Sequence, residues 1–238
     1  MGKVEEVVCS FMNYGPEALP DLTSLKFKKR LSAYLDIYRE FLKLSDFIID
    51  SEIGKRTVKC KPGCSFCCNQ IIHAYPSELL CINEFLDKQP GIRNSFAEKY
   101  PQWDVDFEPF REAFWDSFKQ MPTKRAEFRS ICREFSSQCP FCDDGVCSIY
   151  AVRPMVCRTW FTKRRFTSCN EKNNKDKQLK LSCYEGLHMA QLHLDQYFME
   201  QFEIEGLPLG AFVSTLSHGV FFMNSSSLYI KSLKRKAS

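Results

Sequence analysis

Two groups of closely spaced cysteines constrain this chain more than any other feature. The first is Cys60-x3-Cys64-x2-Cys67-Cys68, with Pro62-Gly63 inside it. The second is Cys139-Pro-Phe-Cys142-Asp-Asp-Gly-Val-Cys147, followed by Cys157 and Cys169. Short-spaced cysteines on irregular segments are poor core material. A tight backbone turn can present several such thiolates to one ion, and a glycine tolerates the positive φ the turn needs. Adjacent Cys67 and Cys68 point in different directions, so they serve different ions, or one ligates while the other packs. Asp144-Gly145 predicts a hairpin that sets Cys142 and Cys147 facing each other across two short arms.

The thiols are not needed as staples. With 238 residues, 44% of them hydrophobic and 21 of them Phe, the chain can bury a core of its own, so 13 cysteines are surplus to stability. Met1-Gly2-Lys3-Val4-Glu5-Glu6 turns acidic at once and lacks a run of signal-peptide character, which sets a cytoplasmic, reducing compartment as the expectation. In that setting clustered thiols bind metal or do redox chemistry rather than form structural disulfides. Cys9, Cys81 and Cys132 sit among apolar neighbours and read as small buried hydrophobes, while Cys183 is left open. Four thiolates on one divalent ion leave a net negative site, which Lys61, Arg153 and Arg158 are placed to offset.

Helical periodicity dominates the rest. Leu22 to Ile53 is predicted as one long amphipathic helix ended by Gly54. Pro76 opens a second helix carrying Leu79, Leu80, Ile82, Phe85 and Leu86. Pro90-Gly91 reads as a break, and helices follow over Phe107 to Lys119, Thr123 to Phe135 and Tyr184 to Ile204. Gly206 to Ile230 carries no charge but too many polar groups for lipid, and reads as a buried helix followed by a polar loop, not a membrane span. No β-α alternation or internal repeat is present. The fold expected is mostly α, a helical domain with an irregular cysteine-rich metal-binding centre. It divides into an N-terminal helical segment (1–56), a cysteine-cluster domain (57–185) and C-terminal helices with a basic tail (186–238) that pack on the same domain.

Lys163 to Lys180 holds seven Lys/Arg and two acids, and the tail adds Lys231, Lys234, Arg235 and Lys236. A solvated loop and a soluble tail account for this. The sharper alternative is an attractive surface for an acidic protein partner or a protein substrate. Nucleic acid is disfavoured, because no aromatic-interleaved basic face accompanies the charge.

Taken together, Cys-Lys-Pro-Gly-Cys-Ser-Phe-Cys-Cys (60–68), Cys-Pro-Phe (139–141) and Cys-Ser-Ile-Tyr-Ala-Val-Arg-Pro-Met-Val-Cys-Arg-Thr-Trp (147–160) resemble the YkgJ-type cysteine-cluster family over roughly residues 57 to 185. That family is described as a zinc- or iron-chelating domain, and flagellin lysine N-methylase is its enzymatic relative. The resemblance implies Cys60, Cys64, Cys67, Cys68, Cys139, Cys147, Cys157 and Cys169 as metal ligands. Cys142 departs from the family pattern, which carries an apolar residue there; spacing alone would choose it through Cys139-x2-Cys142, and it stands as the substitute for Cys169.

All-thiolate coordination suits zinc and iron–sulfur clusters alike, and eight cysteines would make two tetrahedral zinc sites. Cys60-x3-Cys64-x-Phe66-Cys67 also matches the three-cysteine spacing of radical S-adenosylmethionine enzymes, whose 4Fe–4S cluster leaves one iron open to the cosubstrate. A long helix precedes the motif here, and no Gly-x-Gly-x-x-Gly loop exists for a Rossmann methyltransferase. His73, His188, His193 and His218 read as surface or core histidines, and Tyr150 and Trp160 as packing around the metal. The expected function is therefore metal binding by clustered cysteines, with an iron–sulfur, S-adenosylmethionine-dependent protein lysine N-methylase as the enzymatic alternative.

Overall fold

A computed structural model of the chain describes residues 2–54, 65–120, 123–161, 179–202 and the backbone of 214–215. It is mostly helical. Helix α1 (Gly2–Tyr14) lies against α2 (Phe27–Ile53), which places Tyr34, Tyr38, Phe41, Leu42 and Ile49 on one buried face. That stripe is the three- and four-residue spacing read from the sequence, and its charged opposite face keeps α2 at the surface. The helix starts later than its apolar pattern does. Arg30 folds back onto the carbonyls of Thr23 (2.6 Å) and Leu25 (3.1 Å), and Leu22 donates its N–H to Gln201 at 2.6 Å, so residues 22–26 turn instead of winding on.

Two hydrophobic cores share one helix. Leu80 and Cys81 of α3 (Pro76–Asp87) face the first core, with Val8, Phe11, Tyr34, Phe41 and, from α8 (Tyr184–Gln201), Leu194 and Phe198. Leu79, Ile82 and Leu86 face the second. A helix that is apolar nearly all round must be covered on both sides, and α3 is. The second core is aromatic. Phe96, Tyr100, Trp103 and Phe107 of α4 (Pro90–Phe107) form a buried ladder against Phe114 of α5 (Arg111–Lys119) and Phe128 of α6 (Arg125–Glu134). Each fully buried Phe contributes about 1.5–3 kcal/mol of transfer free energy.

The break expected at Pro90-Gly91 is present, since α3 ends at Asp87, but a helix absent from the sequence reading, α4, begins at Pro90. Pro90 occupies the first helical turn, where its missing N–H has no intrahelical partner to lose. Pro101 does cost a backbone bond inside the helix, but the four-aromatic stripe around it is buried, and packing outweighs local propensity. Sequence reasoning stopped at the prolines and missed the stripe. Cys9 is a second correction. It lies on the exposed side of α1, while Val8 and Phe11 enter the core. Cys81 (1% exposed) and Cys132 (8%) are buried as expected.

The expected hairpin is present. Strands β2 (Cys142–Asp143) and β3 (Val146–Cys147) pair antiparallel with Cys142 opposite Cys147. Asp144 (φ 48°) and Gly145 (φ 80°) both take positive φ, as a two-residue type I′ turn requires. A second short pair joins β1 (His73–Ala74) to β4 (Ser214–Thr215). The extended backbone at 214–215 replaces the helix expected there; the rest of 206–230 lies outside the described residues, as do the basic run 163–178 and the tail. Among the described residues no helix is long and apolar enough to cross a membrane.

Candidate metal centre

Three separate segments bring cysteines together. A 3-10 turn (Phe66–Asn69) carries Cys67 and Cys68, the hairpin carries Cys142 and Cys147 with Cys139 just before it, and the one-turn helix α7 (Met155–Arg158) carries Cys157. Backbone hydrogen bonds set their register. The Cys139 N–H donates to the Cys68 carbonyl at 2.7 Å, joining the two cysteine groups directly, and the Cys142 N–H donates to Cys139 at 2.8 Å. Two contacts seat the hairpin on α4: Phe141 stacks on Phe96 with ring centroids 4.5 Å apart, and Lys99 pairs with Asp143 while donating to the Cys142 carbonyl at 3.2 Å. Cross-strand partners share one sheet face, so Cys142 and Cys147 project to the same side.

The thiols interact electrostatically as one group. The Cys67 and Cys68 thiols, expected to point apart, hydrogen-bond to each other; that bond pulls Cys67 down to about 7 against burial, with help from the Arg153 charge, and holds the proton on Cys68. Burial pushes Cys139 up to about 12, with Cys147, Cys142 and Cys67 adding repulsion. Cys157 is raised by burial and then by Cys67, Cys139 and Cys147. Cys147 is raised in the same way, and burial also raises Cys142 although a hydrogen bond with Cys68 offsets part of it. Six clustered thiols, Cys142 buried and the other five half-buried, form a set in which burial opposes ionisation and whose thiolates call for a cation.

Arg153 supplies one. Its guanidinium carbon lies 4.0 Å above the Tyr150 ring centroid, and its charge favours the thiolates of Cys67, Cys147 and Cys157. Its Nε is buried, and among the described residues it has no hydrogen-bond acceptor. An orphaned charged donor against a thiol cluster is what a thiolate acceptor would satisfy. Arg158 departs from expectation. It does not face the thiols but donates to the carbonyls of Arg153 (2.8 Å) and Ala151 (2.7 Å) and pairs with Asp46 on α2. Tyr150 also departs, being 57% exposed as the platform under Arg153 instead of interior packing.

Of the eight ligands implied by resemblance, Cys67, Cys68, Cys139, Cys147 and Cys157 fall in this neighbourhood; Cys60, Cys64, Cys169 and Lys61 lie outside the described residues. Cys142, the substitute, joins the group through Cys68 and is 2% exposed. Among the described residues no three Cys, His, Asp or Glu side chains converge closely enough to hold an ion. Cys183 is half-buried at the start of α8, where its N–H and that of Ser182 donate to Glu52.

His73 and His188 pack on aromatic rings, and His218 lies outside the described residues. His73 packs edge-on to Tyr75 and beside Phe128, and burial lowers it to about 4, with His188 adding repulsion. Sequence reasoning missed a buried polar network joining α2, α3 and α8. Asp195 accepts from the Ser77 N–H (2.9 Å), the Ser77 hydroxyl and Gln191 (2.7 Å), and Tyr38 donates to Gln191 at 2.6 Å. Gln191 and Asp195 stand four apart on α8, the spacing at which helical side chains meet, and that was the available signal. Compared with family models, curated proteins and solved structures, the chain matches none.

Proposed function

We propose that this chain is a metal-binding protein that chelates zinc or iron through clustered thiolates, and that it belongs with the YkgJ-type proteins it resembles. One observation carries the reading: six thiols from three segments lie close enough to interact electrostatically, and beside them the buried Nε of Arg153 has no acceptor among the described residues. Soft thiolate donors select zinc, iron or an iron–sulfur cluster over hard cations such as magnesium. Cys67, Cys68, Cys139, Cys147 and Cys157 would hold the metal, completed by Cys60, Cys64 and Cys169, with Cys142 in reserve. A metal ion would draw off the protons that burial now keeps on these thiols, and Arg153 would balance part of the excess negative charge.

The test is anaerobic purification followed by metal and acid-labile sulfide analysis with an absorption spectrum. About two zinc ions per chain and no colour would establish a zinc module. Iron with labile sulfide and a brown colour would turn the reading towards S-adenosylmethionine-dependent chemistry, and cosubstrate binding would be measured next. A chain that takes up neither metal when reduced and reconstituted overturns the proposal.

A further inference from the structure

We infer that Glu78 and Arg158 are positioning residues of the metal centre, fixing Cys157 and Arg153 from the helical core; the inference rests on the metal-binding reading above. Helix α7 has four residues, and its own turn satisfies only the N–H groups of Cys157 (2.9 Å) and Arg158 (3.1 Å), both on the Pro154 carbonyl, so it is too short to hold itself. Its first N–H, that of Met155, donates to Glu78 Oε1 at 2.6 Å, while Glu78 Oε2 accepts the Tyr75 N–H at 2.8 Å. One buried carboxylate thus closes the start of α3 and the start of α7 at once. Arg158, 1% exposed, holds the other side through the carbonyls of Arg153 and Ala151 and its ion pair with Asp46.

Residues 151–158 are therefore tied to α2 and α3 by two buried ionisable side chains, Glu78 and Arg158. Apolar side chains would fill the same space without the desolvation cost of a charge. Directed bonds supply something that apolar packing does not, a fixed orientation. Met155 is two residues before Cys157, and the Arg153 carbonyl held by Arg158 belongs to the residue whose Nε faces the thiols. Among the described residues neither Glu78 nor Arg158 hydrogen-bonds to a thiol of the cluster, and both act on it through the backbone.

Zinc affinity by competition with a chromophoric chelator, and the thiolate-to-cobalt charge-transfer bands of the cobalt-loaded full chain, test the inference. Glu78→Gln keeps the side-chain size and one acceptor oxygen. It is expected to weaken zinc binding ~10- to 100-fold and to alter the cobalt bands while the chain remains helical by circular dichroism. Arg158→Lys, which keeps the charge but cannot reach both carbonyls, should act in the same direction. In the wild-type chain, metal uptake should slow hydrogen exchange at the backbone amides of 151–158 and 75–78, a measurement that stands if neither variant folds. Wild-type affinity and cobalt bands in a folded variant, or exchange unchanged by metal, would overturn the inference. A wild-type chain that binds neither zinc nor cobalt would instead overturn the metal-binding reading itself.

Discussion

Asp195 offers a sharp test of the buried polar network because its consequence is a slope against pH. It is fully buried on α8, and burial raises its carboxyl from 3.8 to about 6 although Ser77 and Gln191 donate to it. A carboxyl whose folded value is raised favours the folded state while protonated. Its contribution is fully present below the unfolded value of 3.8 and is lost as pH rises through about 6. The whole shift corresponds to roughly 3 kcal/mol, of which about 1.4 kcal/mol falls between about pH 5 and about pH 8. Asp195→Asn removes the titration. It also sets an amide donor against a donor already placed there, a pH-independent cost of about 1–3 kcal/mol. Urea unfolding of both proteins across that range, read as the difference between them, isolates the group from His73, Glu78 and the thiols. The wild-type advantage should shrink by about 1–2 kcal/mol on going from about pH 5 to about pH 8. A flat difference, or one that grows with pH, would mean that Asp195 is ionised throughout and that burial does not control it.

Other outcomes follow from individual contacts. Tyr38→Phe strands the buried Gln191 oxygen that its hydroxyl now reaches at 2.6 Å, so urea unfolding should show a loss of about 1–3 kcal/mol with metal content unchanged. Gly145→Ala forces a side chain into a φ of 80°, costing about 1 kcal/mol; by disturbing the Cys142–Cys147 register it should also weaken zinc binding in chelator competition. Cys147→Ser should lose metal and lower the melting temperature together, because metal binding and folding are linked. Cys81→Ala, in the first core, should keep its metal by elemental analysis and lose only packing energy.

Legibility in the sequence varied with how local the deciding interaction is. Helices α2, α3 and α8 were readable because a buried stripe at three- and four-residue spacing is a property of the segment itself, and their ends moved by only a few residues. The hairpin was readable because Asp144-Gly145 suits positive φ at two successive positions, a backbone requirement satisfied within the turn. Helix α4 was not, since its two prolines argue against a helix locally and only the second aromatic core makes one favourable. Cys9 went wrong for a related reason: apolar neighbours do not say which side of α1 meets α2. Spacing selects Cys142 and the family pattern sets it aside; its hydrogen bond with Cys68 places it beside the other thiols.

The sequence by itself determined that the chain is mostly helical, that Cys67, Cys68, Cys139, Cys142 and Cys147 fall on short segments between the long helices, and that Cys142 and Cys147 share a hairpin. Each of these is written in periodicity or in turn chemistry over a few consecutive residues. Only the tertiary structure decided that the turn carrying Cys67 and Cys68 lies beside Cys139, Cys147 and Cys157, that Arg153 and not Arg158 acts electrostatically on the thiols, and that Glu78 reaches from α3 to the turn carrying Cys157. Those pairings span some 70 to 90 positions. They arise because α3 must bury both of its faces, which draws the α4–hairpin half and the α2–α8 half onto a single helix and brings distant loops to its start.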